Sequence, residues 1–357
     1  MKKKLIVFLT FLITAVILTG AVTAYLDPFM VYHAPRKAFF YTLDNQRYQN
    51  RGILKFYDYD AVIAGTSITQ NFSTDQLDDL FGVTSVRVSL SGSTYYEAAE
   101  EIDIAVNSGH ELKLALISLD LNHLIEDKDT LRTDLGVYPE YLSNSNPFDD
   151  VKYLFNRDVM MDYCIPMIAG WLKGDAGGAT EMEEYNRMGI GTTGADVVLA
   201  DRTGFLLPDA EDLEGLTEDE ILLTMENLEQ NVLRLARENP DTQFIYFFPP
   251  YSMAWWGERF EEGILLKYLE AAQLAAEAML ELDNIELYFY LNARDITTDL
   301  SNYADYIHYT ADVNEILLEK MAAGDVSALV TKDNYQLLFE EQREFLLDFD
   351  YNSLFGS

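Results

Sequence analysis

Three short apolar runs, Ala61–Ala64, Ser85–Leu90 and Leu114–Leu119, are each cut off by small or polar residues, and the two gaps between them hold helical segments. Runs this short, flanked by turn residues, read as buried strands rather than helices. The first stops at Gly65-Thr66-Ser67. A short helix over Thr74–Phe81, capped by Ser73, follows it, and a second from about Thr94 to Asn107 follows the turn Ser91-Gly92-Ser93. Strand, helix, strand, helix, strand with short connections is the pattern of a parallel sheet with helices on both faces. The pattern resumes near residue 218 with a helix over Glu218–Glu238 capped by Thr217, a strand Gln243–Phe248, a helix Arg259–Leu282, a strand Ile285–Tyr290 and a helix Ala311–Ala323. The fold class expected is therefore α/β, a three-layer α/β/α arrangement around a mostly parallel sheet.

The N-terminus departs from this pattern. Lys2-Lys3-Lys4 precedes Leu5–Leu26, 22 residues without a charge. That is long enough for a helix to cross the hydrocarbon core of a bilayer, which takes about 20 residues. Lysines on the short side stay cytoplasmic, so the rest of the chain is expected outside the cytoplasm on a single-pass signal-anchor spanning 1–26. Cleavage near Ala24, after Val22-Thr23-Ala24, is the alternative and would release a secreted protein. Residues 27–56 read as a juxtamembrane segment, 57–325 as the α/β domain with an insertion at about 122–215, and 326–357 as a C-terminal tail packed on the domain.

A formal net charge of -35 argues against nucleic acid as a partner, since a phosphate backbone would be repelled. The single cysteine, Cys164, allows no internal disulfide. No spacing of His, Cys and Glu suggests a metal site and no Gly-rich phosphate loop is present, so neither metal nor cofactor is expected.

Ser67 lies at the carboxyl end of the first strand, where open α/β sheets place their chemistry. A serine hydroxyl needs a base to become a nucleophile, usually a histidine oriented by a carboxylate. The chain has four histidines, and two of them stand in Asp-x-x-His sequences: Asp120-Leu121-Asn122-His123 and Asp305-Tyr306-Ile307-His308. Both fall on loops at the carboxyl edge of the sheet, so position alone leaves His308 and His123 as rival bases. Aromatic residues near the same edge, Tyr95, Tyr251, Trp255 and Trp256, could stack on sugar rings or could simply be core.

The blocks Gly65-Thr66-Ser67, Gly92 and Asp305-x-x-His308, in that order, resemble the SGNH/GDSL hydrolase superfamily. With the N-terminal anchor they are most similar to its envelope-associated, membrane-anchored branch, which includes D-alanyl-lipoteichoic acid transfer protein and alginate O-acetyltransferase-like proteins. The resemblance implies a flavodoxin-like sheet, Ser67 as nucleophile, His308 as general base, Asp305 as its orienting acid, and oxyanion donors at the backbone of Ser67 and Gly92. The family's Gly-x-Asn-Asp block is missing. Ser118-Leu119-Asp120-Leu121-Asn122 stands in its place, so Asn122 is the candidate for the third oxyanion donor. The function implied is an extracytoplasmic serine esterase or acyltransferase working on acetyl or D-alanyl esters. Its expected partners are a cell-envelope glycopolymer or teichoic-acid-like substrate, the membrane, and a membrane protein that donates the acyl group. The alternative is an SGNH-fold assembly or polysaccharide-binding protein without turnover.

Overall fold

The computed structural model describes residues 2–136, 138–142, 146 and 148–356. Two compact units are formed, Met1–Tyr57 with Gly136–Asn186, and Asp58–Leu135 with Arg187–Ser357. Seven strands occur among the described residues: β1 (Phe40–Tyr41), β2 (Ala61–Ala64), β3 (Ser85–Arg87), β4 (Leu114–Ser118), β5 (Gly178–Ala179), β6 (Gln243–Phe248) and β7 (Ile285–Phe289).

The larger unit is built on a five-stranded sheet in the order β3-β2-β4-β6-β7, with every neighbouring pair parallel. In that order the chain first steps from β2 outward to β3, then returns past β2 to β4. This is the flavodoxin-like winding, and β2 and β4 flank its switch point. Right-handed crossovers put the helices of the two directions on opposite faces. The helix Thr74–Phe81 joins β2 to β3 and packs against the later helix Ala311–Ala322. The other layer holds the helix Tyr95–Asn107, the helical run 218–238 and the helix Leu265–Met279. All four residues of β2 are buried, as a strand covered on both faces requires.

Local chemistry accounts for the element ends. Ser73, Thr94 and Thr217 each accept a backbone N–H of the first turn, and Thr94 and Thr217 form capping boxes with Glu97 and Glu220. Past the end of β3, Val88 and Leu90 donate to the carbonyls of Ile63 and Gly65, so this strand stays paired up to the turn that carries Ser67. One expected helix is broken. Arg259–Leu282 is not continuous: a helix Met253–Glu261 ends at Gly263, whose φ of 78° stops it, and a second helix begins at Leu265. The outer edge of β7 is covered by the chain at 328–330, where Phe289 donates to Ala328 and Val330 donates to Leu287.

In the smaller unit the first helix, α1, spans Lys2–Leu26 and α2 spans Gln46–Phe56, while β1 and β5 form a two-stranded parallel ladder. α1 is long and apolar enough to be a membrane anchor or signal sequence. At its end Asp27 is buried with a φ of 47°, and its carboxylate accepts the N–H groups of Val31, Tyr32 and His33 and the hydroxyl of Tyr153. Four donors on one carboxylate satisfy its charge out of water and fix the abrupt turn after the helix.

Candidate active site

β2 runs out at Gly65, whose φ of 117° lies in the region that glycine alone adopts without strain. A Cβ there would come within 2.4 Å of the Ser118 hydroxyl at the end of the neighbouring β4. The chain then closes a 3₁₀ turn, Ser67–Thr69, that Thr66 caps by accepting the Ile68 N–H. Thr66 is itself tied across the sheet, its N–H to Ser118 Oγ and its hydroxyl to Asp120 Oδ2 at 3.1 Å. Thr69 donates to the Thr66 carbonyl and pairs with Ser89 Oγ at 2.7 Å. Ser67 thus sits on a turn held from both neighbouring strands.

The Ser67 hydroxyl lies 2.8 Å from His308 Nε2, and His308 Nδ1 lies 2.6 Å from Asp305 Oδ2. The other Asp305 oxygen accepts the backbone N–H groups of Ile307 and His308. Partial burial alone would raise the Asp305 carboxyl. The His308 pair and the two backbone donors outweigh it and hold the group below its ordinary value. An ionised carboxylate only accepts, so Nδ1 carries the imidazole proton, Nε2 accepts, and Ser67 donates to it. The Asp305–His308 loop is pinned at several points. Tyr303 donates to the Pro250 carbonyl at 2.6 Å, Ser252 donates to the Tyr306 carbonyl at 2.7 Å, and Arg202 Nε donates to the Tyr306 hydroxyl at 2.9 Å while its other nitrogens pair with Glu258 and Glu261.

The rival histidine is otherwise engaged. His123 is buried and its Nδ1 pairs with Glu126 Oε1 at 3.0 Å. Burial pushes its pKa down, but Glu126 and then Asp120 overcome this and the net shift is upward. The carboxylate that should have oriented it, Asp120, accepts instead from Thr66, from Tyr251 at 2.5 Å and from the backbone and side-chain amides of Asn122.

That last bond bears on the expected oxyanion donors. The Asn122 side-chain amide donates to Asp120 Oδ1 at 3.0 Å, because Asp120 caps the 3₁₀ turn Leu121–His123 and draws the amide onto itself. Gly92, with a φ of 59°, stands in a turn where a Cβ would meet Leu135 and Arg132. Among the described residues, the backbone N–H groups of Ser67 and Gly92 donate to no protein acceptor. Of the two readings open for Tyr95, Tyr251, Trp255 and Trp256, burial rules out the sugar-stacking surface and leaves the core. After Pro249-Pro250 the chain turns inward and Ser252 caps the next helix, so Tyr251 stacks on Trp255 at 4.5 Å and Trp256 meets Trp255 edge-on. Tyr95 is buried with its hydroxyl on the Asp120 carbonyl. Burial and the nearby Asp120 charge keep the phenols of Tyr251 and Tyr95 well above their ordinary value, so both remain neutral donors.

Beside Ser67 and His308, a narrow cleft is lined by Ile68, Asn71, Met188, Tyr309 and Asn314. Asn71 Oδ1 accepts the Met188 N–H and Asn314 donates to the Ile68 carbonyl. Sequence reasoning passed over these residues. Asn71, four residues after Ser67 and on the same turn region, was the one within reach of it. Among the described residues no cluster of three or more His, Cys, Asp or Glu side chains could hold a metal.

No family model and no curated protein matches this chain significantly. Among solved structures it is similar to one described, provisionally, as a platelet activating factor from Streptococcus pneumonia, at 12% identity and a TM-score of 0.38, covering 78% of this chain and 90% of that one. A likeness at that level carries no argument about what either site does.

Proposed function

We propose that the chain is a membrane-anchored serine esterase or acyltransferase of SGNH type, acting outside the cytoplasm on small O-acyl groups of an envelope polymer. One observation carries this reading: the unbroken hydrogen-bond chain from the Ser67 hydroxyl through His308 to Asp305. In the proposed reaction Ser67 Oγ attacks the ester carbonyl as His308 Nε2 takes its proton, and Asp305 stabilises the imidazolium that results. The Ser67 and Gly92 N–H groups receive the oxyanion. His308 then returns the proton to the departing alkoxide, leaving acyl-Ser67. In the second half His308 deprotonates water or an acceptor hydroxyl, which attacks the acyl group and restores Ser67. The small cleft beside Ser67 suits a short acyl group such as acetyl or D-alanyl. A membrane protein that supplies the acyl group is the partner expected if the second step is transfer.

The test is covalent labelling by a fluorophosphonate, followed by peptide mapping. Label on Ser67, lost in both Ser67→Ala and His308→Ala while the folded state persists, supports the reading. Labelling that survives His308→Ala but is lost in His123→Ala overturns the assignment of the base. The engagement of Asn122 with Asp120 favours a second reading, a polymer-binding protein with the fold but no turnover. A binding module should not react with the fluorophosphonate at all. Varying the acceptor alcohol and identifying the product separates hydrolysis from transfer.

A further inference from the structure

We infer that the segment 148–173 of the smaller unit packs on α1 at the membrane surface and lays its last helix in the outer leaflet, with lipid as the partner of that helix's exposed apolar face. Within it a π-turn, Val159–Cys164, leads directly into a helix, Ile165–Lys173. The charges of the segment, Asp149, Asp150, Lys152, Arg157, Asp158 and Asp162, all precede Tyr163, and Lys173 closes it. From Tyr163 to Leu172 there are none. A helix on a water-facing surface keeps one polar side. This one does not. Cys164 and Met167 are buried within the fold, yet the opposite stripe is also apolar: Ile165 is exposed, Ile168 half-buried and Leu172 71% exposed. Trp171 is exposed as well, and Phe148 at the start of the segment is 81% exposed. Water on both the stripe and its aromatic flank would be costly for a folded unit, and a patch of this kind marks a surface that something apolar covers.

The cover is identified by what the segment packs on. It touches α1 rather than only the parts of the unit beyond it. Gly20 of α1 faces Phe155 so closely that an added Cβ would come within 3.0 Å of the ring. Gly20 is six residues before Leu26, where the uncharged run ends, which is about 9 Å along the helix axis. If α1 spans the bilayer over that run, the π-turn packed on α1 lies at the membrane surface, and the helix Ile165–Lys173 that follows it directly sets its apolar stripe beside the same hydrocarbon. Markers of the interface stand where they should on this geometry: Arg36 covers the ring of Tyr25 at 4.2 Å at the end of α1, and Trp171 and Lys173 close the segment. An in-plane helix of this sort dips roughly 5–10 Å into the headgroup and acyl boundary. The packing also bears on processing, because Thr23 and Leu26 are buried in the unit and cleavage near Ala24 would strip a wall from it.

This inference rests on the anchor part of the proposed function, and the experiment separates the two. The full chain, with Cys164→Ala to remove its one thiol, is reconstituted in phosphatidylcholine–phosphatidylglycerol vesicles. Single cysteines are introduced by Leu12→Cys in α1, Ile165→Cys, Leu172→Cys and the exposed Val326→Cys of the larger unit, and each is labelled with an environment-sensitive fluorophore. Brominated lipid should quench the labels at 165 and 172 to an extent comparable with that at 12, and leave the label at 326 bright. Quenching at 12 with 165 and 172 as bright as 326 overturns the inference and leaves the anchor standing. No quenching at 12 overturns the anchor and the inference together. Labels at 165 and 172 that are shielded from aqueous iodide but untouched by brominated lipid would mean that a protein covers the stripe, which also overturns it. A second measurement needs no cysteine: brominated lipid should quench part of the native tryptophan emission, and Trp171→Phe should abolish that part, since Trp255 and Trp256 are buried in the larger unit.

Discussion

Replacing Gly65 by alanine tests whether the turn under Ser67 is held as rigidly as its bonds imply. Two costs arise. The first is conformational: a side chain at φ 117° is strained whatever the space around it, at about 1–3 kcal/mol. The second is steric. The new Cβ would sit 2.4 Å from Ser118 Oγ, where ordinary contact begins at 3.4 Å, so something must move by an ångström. If Ser118 rotates away, Thr66 loses the acceptor of its N–H, and if the turn moves instead, Ser67 leaves the 2.8 Å contact with His308. Misplacement of a reacting group by 1 Å costs roughly 100-fold in rate. The expected result is a protein that unfolds at lower denaturant concentration and reacts with a fluorophosphonate about 100-fold more slowly. Ser118→Ala supplies the cross-check. It removes the 2.4 Å clash and leaves the strain and a 3.2 Å contact with the backbone N of residue 118, so the double variant Gly65→Ala/Ser118→Ala should be less impaired than the two single effects combined. Wild-type stability and labelling in Gly65→Ala would refute the reasoning, and full additivity in the double variant would refute its steric half.

Asp305→Asn keeps the acceptor for the Ile307 and His308 N–H groups but can turn an amide N–H toward His308 Nδ1, forcing the proton onto Nε2 where Ser67 needs an acceptor. The labelling rate should fall by on the order of 10³–10⁴ with little loss of fold, and an unchanged rate would remove Asp305 from the site. Glu126→Gln addresses the other histidine. Because Glu126 helps hold the His123 pKa above its ordinary value, the pair stabilises the fold fully below the unfolded value of about 6.5 and the contribution is lost as pH rises through the folded value. NMR titration of Glu126→Gln should find the His123 pKa lowered and this pH dependence of stability diminished, with Ser67 labelling intact. An unmoved His123 pKa, or a loss of labelling, would contradict the separation of the two histidines.

What could be read from the chain in advance were the features decided within a few residues. The caps Ser73 and Thr217 are of this kind, and so are the strand ends at Gly65 and Phe248. Ser67 and His308 are 241 residues apart, and alternation of strand and helix brings both to one edge of the sheet, but it brought His123 there as well, so position alone did not single out His308. The break at Gly263 was missed because Arg259–Leu282 keeps an apolar and acidic pattern across it. The aromatics after β6 stayed undecided between a sugar surface and the core because the direction of the chain past Pro249-Pro250 is a tertiary fact.

The two Asp-x-x-His sequences show most clearly where spacing stops being informative. At both, the aspartate accepts a backbone N–H two residues on, so the local turn is the same. The difference is competition for the carboxylate. Asp120 is buried, and Thr66, Tyr251 and the Asn122 side chain all donate to it, which leaves the His123 ring to find Glu126. Asp305 has a side chain 54% exposed, and among the described residues its donors come from Ile307 and His308, so an oxygen stays available to the imidazole. A buried carboxylate must be saturated by whatever donors surround it, whereas an exposed one keeps the partner its own loop supplies. Solvent access at the aspartate, a property no count of intervening residues contains, therefore decides which of the two histidines pairs with its own aspartate.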